Sequence, residues 1–83
     1  MYTKNAQKDI QKAKQYPIIF ANLKNLVALL KNNPFQSPPS YEKLLVDFKG
    51  AYSRRVNVEH RLIYQVYKKE KIVKIIKVWT HYQ

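Results

Sequence analysis

The chain has 83 residues, room for one small domain over 1–83, and at this size only roughly 60–65% of the unfolded surface can be buried. Its 46% hydrophobic and 13% aromatic content excludes a disordered chain, while the absence of cysteine and of a histidine pair at ligand spacing excludes a disulfide scaffold and a zinc site. Sixteen Lys+Arg against five Asp+Glu give a formal +11, which directs the protein to a polyanion: nucleic acid first, an acidic protein second, an anionic membrane surface third.

In chain order, Thr3 or Asn5 can cap a helix starting near Ala6, with Ala6, Ile10 and Ala13 on one face and Lys8, Lys12 and Lys14 largely outside it. Pro17 ends that helix or opens the next, because its ring fixes φ and removes a donor. Ile19, Leu23, Leu26 and Leu30 then recur at helical spacing, widened by Phe20, Val27 and Leu29, until Asn32-Asn33-Pro34 stops the pattern. Phe35 to Ser40, with Pro38-Pro39, reads as a loop, and Tyr41 to Leu45 as a turn or a single helical turn anchored by Leu44 and Leu45.

After Gly50, Ala51–Val56, Arg61–Tyr67 and Ile72–Trp79 have strand character, separated by turns at 57–59 and 68–71. The expected fold class is therefore α+β: two N-terminal helices packed on one face of a small antiparallel sheet, leaving the other face for a site. Such a layer ordinarily opens with a strand. Only Met1 and Tyr2 precede the cap, so that strand is either vestigial or belongs upstream. No apolar run approaches the roughly 20 residues that span a bilayer, and the start has no signal-peptide core, so a cytoplasmic protein without a membrane segment is expected.

All three arginines fall within Ser53-Arg54-Arg55-Val56-Asn57-Val58-Glu59-His60-Arg61-Leu62-Ile63-Tyr64. A guanidinium offers a permanently charged fork that binds phosphate bidentately, so three of them around an imidazole and a carboxylate suit a phosphodiester site. The same stretch also fits a basic hairpin that grips a nucleic-acid backbone. A turn centred near Val58 would set Arg55 opposite Arg61, two like charges needing an anion between them, and Glu59 or an RNA phosphate could supply it. A slip of one residue would part them.

His81, after the last strand, can exchange a proton near neutral pH, or it is a polar tail. Glu42 is one of five acids in a basic chain; it can accept a proton from a ribose hydroxyl, or it is a surface glutamate at a turn. Tyr52 and Tyr82 are candidates for stacking on bases. His60 is read as packing at the hairpin edge, and Trp79, Tyr64, Tyr67, Phe20 and Phe48 as core. The lysines form a solvated surface that adds salt-dependent affinity for RNA.

Four stretches carry a resemblance: Tyr41-Glu42-Lys43-Leu44, Lys49-Gly50-Ala51-Tyr52-Ser53-Arg54-Arg55, Glu59-His60-Arg61-Leu62-Ile63-Tyr64 and Trp79-Thr80-His81-Tyr82. Together they closely resemble the Txe/YoeB toxins, part of the RelE-like superfamily of bacterial toxin–antitoxin systems. The match runs from about Asn33 to the end; the helical half matches only as a pattern.

The resemblance implies an endoribonuclease without metal or other cofactor that enters the ribosomal A site and cuts mRNA, leaving a 2′,3′-cyclic phosphate and a 5′-hydroxyl. It implies Glu42 as general base, Arg61 as the charge stabiliser and His81 as general acid. Arg54, Arg55 and Glu59 would bind or support, Tyr82 would stack or orient, and Tyr52 would keep an aromatic contact. The implied partner is a YefM/Axe-like antitoxin that covers the Arg54, Arg55 and Arg61 surface, in a complex that binds operator DNA. Tyr52 stands where many relatives carry tryptophan, and Gln83 extends past the terminal His-Tyr. The competing expectations are a RelE/ParE-like toxin that binds without cutting, which needs neither Glu42 nor His81, and a plain basic nucleic-acid-binding module.

Overall fold

The computed structural model describes residues 1–45, 48–57 and 60–80, the last two as backbone. Helix α1 runs Lys4–Ala13. Thr3 is its cap: the backbone there is extended, and Oγ1 accepts the Ala6 amide at 3.1 Å. Pro17 proves to open α2 (Pro17–Asn32) rather than to close α1, since a proline at the first helical position loses no hydrogen bond. Asn33, extended and followed by Pro34, ends it.

Four antiparallel strands follow as a meander in the order β1 (Glu42–Lys43), β2 (Tyr52–Arg55), β3 (Arg61–Tyr67) and β4 (Ile72–Thr80). Tyr41 to Leu45 is thus no helical turn. Glu42 and Lys43 pair with Ser53 and Tyr52, and the Leu44 amide donates to the Ala51 carbonyl at 2.8 Å. Two residues are too few to show a period of two, so this strand exists only through its neighbour. Gly50 closes the intervening turn at φ +88°, a conformation that favours a residue without Cβ.

Residues 1–3 lie strand-like along β4. Tyr2 makes a parallel bridge to Ile75, the Ile75 amide donates to the Met1 carbonyl at 2.8 Å, and the Thr3 amide donates to the Ile75 carbonyl at 3.0 Å. The Asp9 carboxylate accepts the Val78 amide at 3.1 Å, fixing α1 against β4.

The helices cover one sheet face. Ala6, Ala13, Leu23, Leu26 and Leu30 meet Val56, Leu62, Tyr64, Ile75 and Val78 in the main core. Each of the larger aliphatic chains contributes about 1.5–3 kcal/mol by leaving water. Among the described residues the opposite face carries a small apolar cluster, Leu44, Ala51 and Ile63 with Ile76 against it. Tyr64 is core, as the sequence reading has it, whereas Phe48 and Tyr67 are 39% and 40% exposed. Among the described residues no helix is long and apolar enough to cross a membrane.

Candidate active site

The uncovered face assembles from strand register. Glu42 lies opposite Ser53, Arg55 opposite Arg61, and Arg61 opposite Thr80. The Arg55–Arg61 pairing is the one that a turn near Val58 requires, and Cα partners in an antiparallel pair share a face. Arg61 Nη1 reaches Glu42 Oε2 at 3.5 Å, the arginine side chain being 18% exposed and the carboxylate 69%. At that distance and exposure the pair contributes little to stability. Its consequence is placement: a proton acceptor and a permanent cation stand together, within reach of solvent, on a strongly basic molecule.

Because β2 lies between β1 and β3, this ion pair crosses over β2 on the side of Ser53. Ser53 is 1% exposed, and its hydroxyl has no hydrogen-bond partner among the described residues. Nothing in the sequence alone marks Ser53 out. Alternation along β2 would have put it on the face of Arg55, but the roof over it depends on β1.

Register also brings the last described residue of β4 here. Thr80 pairs with Arg61, so β4 reaches the arginines at its C-terminal end. Glu59, His81 and Tyr82 lie outside the described residues. Among the described residues the anion beside Arg61 is Glu42, supplied by β1. His60 is buried at the hairpin edge, its amide donating to Asn57 Oδ1 at 2.6 Å.

Two expected members of the surface face the other way. Arg54 is 1% exposed, on the helix side. Its Nε donates to the Tyr64 hydroxyl at 2.9 Å, Nη1 to the Pro39 carbonyl at 2.6 Å, and Nη2 to the carbonyls of Pro34 and Gln36 at 3.0 and 2.7 Å. The guanidinium also lies 4.8 Å from the centre of the Tyr41 ring. Four of its five N–H groups are thereby engaged within the protein, so Arg54 presents no fork to a phosphate. It pins the loop that leads from α2 into β1, and so holds Glu42 in position from behind.

Tyr52 shares that side. It stacks on Tyr64 at 5.9 Å and meets Phe35 and Tyr41 edge-on at 5.4 and 5.7 Å. A ring held in this cluster, across the sheet from Glu42, is packing and not a platform for a base at the site. Burial raises the Tyr64 phenol above its ordinary value, with the Arg54 hydrogen bond and charge acting against that rise, so the phenol stays neutral and able to accept from Arg54. A cavity of about 730 Å³ also lies behind the sheet, between the end of α2 and the β3–β4 turn, lined by Leu30, Phe35, Val66 and Ile72, away from the Glu42–Arg61 pair.

The model of the YoeB-like toxins of bacterial type II toxin–antitoxin systems matches residues 2–82. The YoeB toxin of Synechocystis sp. is 34% identical over 58 residues, which span 70% of this chain and 65% of that relative's length. Among solved structures, a YoeB/ParE toxin from Agrobacterium tumefaciens superposes with a TM-score of 0.88 at 25% identity, covering 99% of this chain and 96% of the other. The toxin of a YoeB–YefM complex from Staphylococcus aureus gives 0.84 at 28% identity, covering 99% and 94%. The two helices, the four-strand meander and a match over nearly every residue agree: this chain belongs to the YoeB-like toxins of bacterial type II toxin–antitoxin systems.

Proposed function

We propose that the protein is an endoribonuclease that cuts mRNA in the ribosomal A site and thereby stops translation. The observation that carries this reading is the Arg61–Glu42 pair on the uncovered face, with Thr80 at the end of β4 paired to Arg61. Glu42 takes the proton of the ribose 2′-hydroxyl as that oxygen attacks the neighbouring phosphorus. Arg61 lies over the equatorial oxygens as they gain charge. The bond from phosphorus to the 5′-oxygen breaks, and His81 gives that oxygen a proton. The products are a 2′,3′-cyclic phosphate and a 5′-hydroxyl.

Arg55 and Glu59 hold substrate and catalytic groups, and Tyr82 orients the nucleotide. The nucleophile is part of the substrate, so base, acid and positive charge are the whole requirement. Proton transfer contributes typically 10²–10⁴-fold, and removal of one group aimed at the developing charge costs about 10²–10³ in kcat.

A YefM-like antitoxin is the partner, by analogy with the Staphylococcus aureus complex. Its acidic or mixed segment lies over Arg55 and Arg61; Arg54 is not among its contacts, because that side chain is buried. The complex binds operator DNA.

The test is primer extension on a reporter mRNA in cell-free translation, with the parent protein, Arg61→Ala and His81→Ala, with and without ribosomes. Cleavage near the start codon is expected only with ribosomes, and each variant should lose it by 10²-fold or more while remaining folded. Blocked translation without any cut would move the protein to the toxins that act by binding alone.

A further inference from the structure

The β1–β2 turn holds a residue that its local structure does not explain. Phe48 adopts φ +55°, a conformation that Gly, Asn and Asp enter readily and an aromatic residue seldom does. Its carbonyl accepts the Ala51 amide at 2.9 Å, so the turn fixes it there. The ring is 39% exposed, not buried, and Lys77 Nζ lies 5.6 Å from its centre. Neither turn chemistry nor core packing calls for a phenylalanine at this position.

Lys77 is the second unusual residue. It lies opposite Ile63, where the β3–β4 register shifts twice, between Arg61 and Ile63 and between Ile63 and Tyr64. Ile63 shares the uncovered face with Arg61, two residues away, about 7 Å along the strand. Lys77 is therefore a cation on the face of the ion pair, one strand repeat from it. Irregularities of this kind recur beside active sites, where they redirect a side chain. The same face carries a small apolar cluster, Leu44, Ala51 and Ile63 with Ile76 against it.

We propose that Phe48 and Lys77 form a nucleotide subsite for the RNA substrate: a base stacks on the Phe48 ring, and its phosphate takes the Lys77 ammonium. An exposed aromatic face beside a cation is the arrangement by which single-stranded RNA is held without reading its sequence. The subsite rests on the reading of the uncovered face as the place where RNA is cut. It sets how the strand runs across that face, one nucleotide removed from the Glu42–Arg61 pair.

The experiment is fluorescence-anisotropy titration with a short single-stranded RNA, 2′-O-methylated throughout so that it cannot be cut, run over a series of salt concentrations. Phe48→Ala should weaken binding about tenfold, within the range for loss of one base–aromatic stack, while Phe48→Trp binds like the parent. Lys77→Ala should reduce the slope of log affinity against log salt by about 0.7, one phosphate's worth, and the control Lys12→Ala on α1 should leave it unchanged. Agreement between the parent and Phe48→Trp, with Phe48→Ala weak and its urea midpoint unmoved, separates stacking from folding. Undiminished binding by Phe48→Ala overturns the subsite, as does a parent that binds no RNA. Weak binding by Phe48→Ala, in a protein whose parent cuts no message, keeps the subsite and removes the cleavage reading instead.

Discussion

Arg54 and Arg55 are neighbours in sequence and opposites in role, because a strand sends successive side chains to opposite faces. Arg55 goes to the uncovered face with Arg61, while Arg54 goes under the helices and is tied to Tyr64 and the carbonyls of Pro34, Gln36 and Pro39. A buried cation is tolerable only with its donors satisfied, and a carbonyl left facing it alone loses a charge-assisted bond. Lysine cannot copy the fork. Arg54→Lys should therefore destabilise the fold on the order of 3 kcal/mol, read as a lower urea midpoint, whereas Arg55→Lys should leave that midpoint nearly unchanged. Equal effects from the two would overturn the division of labour. The clustering of arginine was legible in the sequence; which of two adjacent arginines faced inward was not.

At the scale of elements, caps and turns explain most of what the chain does. Thr3 serves two elements at once: its hydroxyl accepts the Ala6 amide at the start of α1 and donates to the Ile76 carbonyl of β4 at 2.7 Å. Thr3→Ala removes both, which should cost about 1–2 kcal/mol and lower Tm by roughly 5–10 °C in a domain of this length. Thr3→Ser keeps both bonds and should restore most of the loss; a Tm unaffected by Thr3→Ala would show that neither bond matters. The cap, the proline at the head of α2 and the three long strands each follow from a signal of several residues. β1 does not. It carries Glu42, and two residues have no periodicity to read, so the carboxylate's place at the site emerged only from its pairing with β2.

The whole molecule is a +11 chain folded so that one sheet face is covered and one is open. Its charge should make RNA affinity fall steeply with salt, but only groups at the open face should set the slope. Arg55→Ala should reduce that slope by about 0.7 in titrations with single-stranded RNA, while Lys8→Ala on α1 should not. Equal reductions would mean a diffuse basic surface without a defined track.

The sequence by itself determined the α+β class, the two helices, the three longer strands and the family resemblance, and it allowed the Arg55–Arg61 register without deciding it. Each rests on a period, a cap or a motif local enough to read. Tertiary structure decided the rest. It chose the phase of β2, and so turned Tyr52 and Arg54 away from the site, because alternation fixes two faces but not which one the helices cover. It raised Glu42 over Ser53 by pairing a strand too short to announce itself. It also turned Lys77 toward Phe48 through shifts of register that depend on the fit of two strands and leave no mark on either one alone.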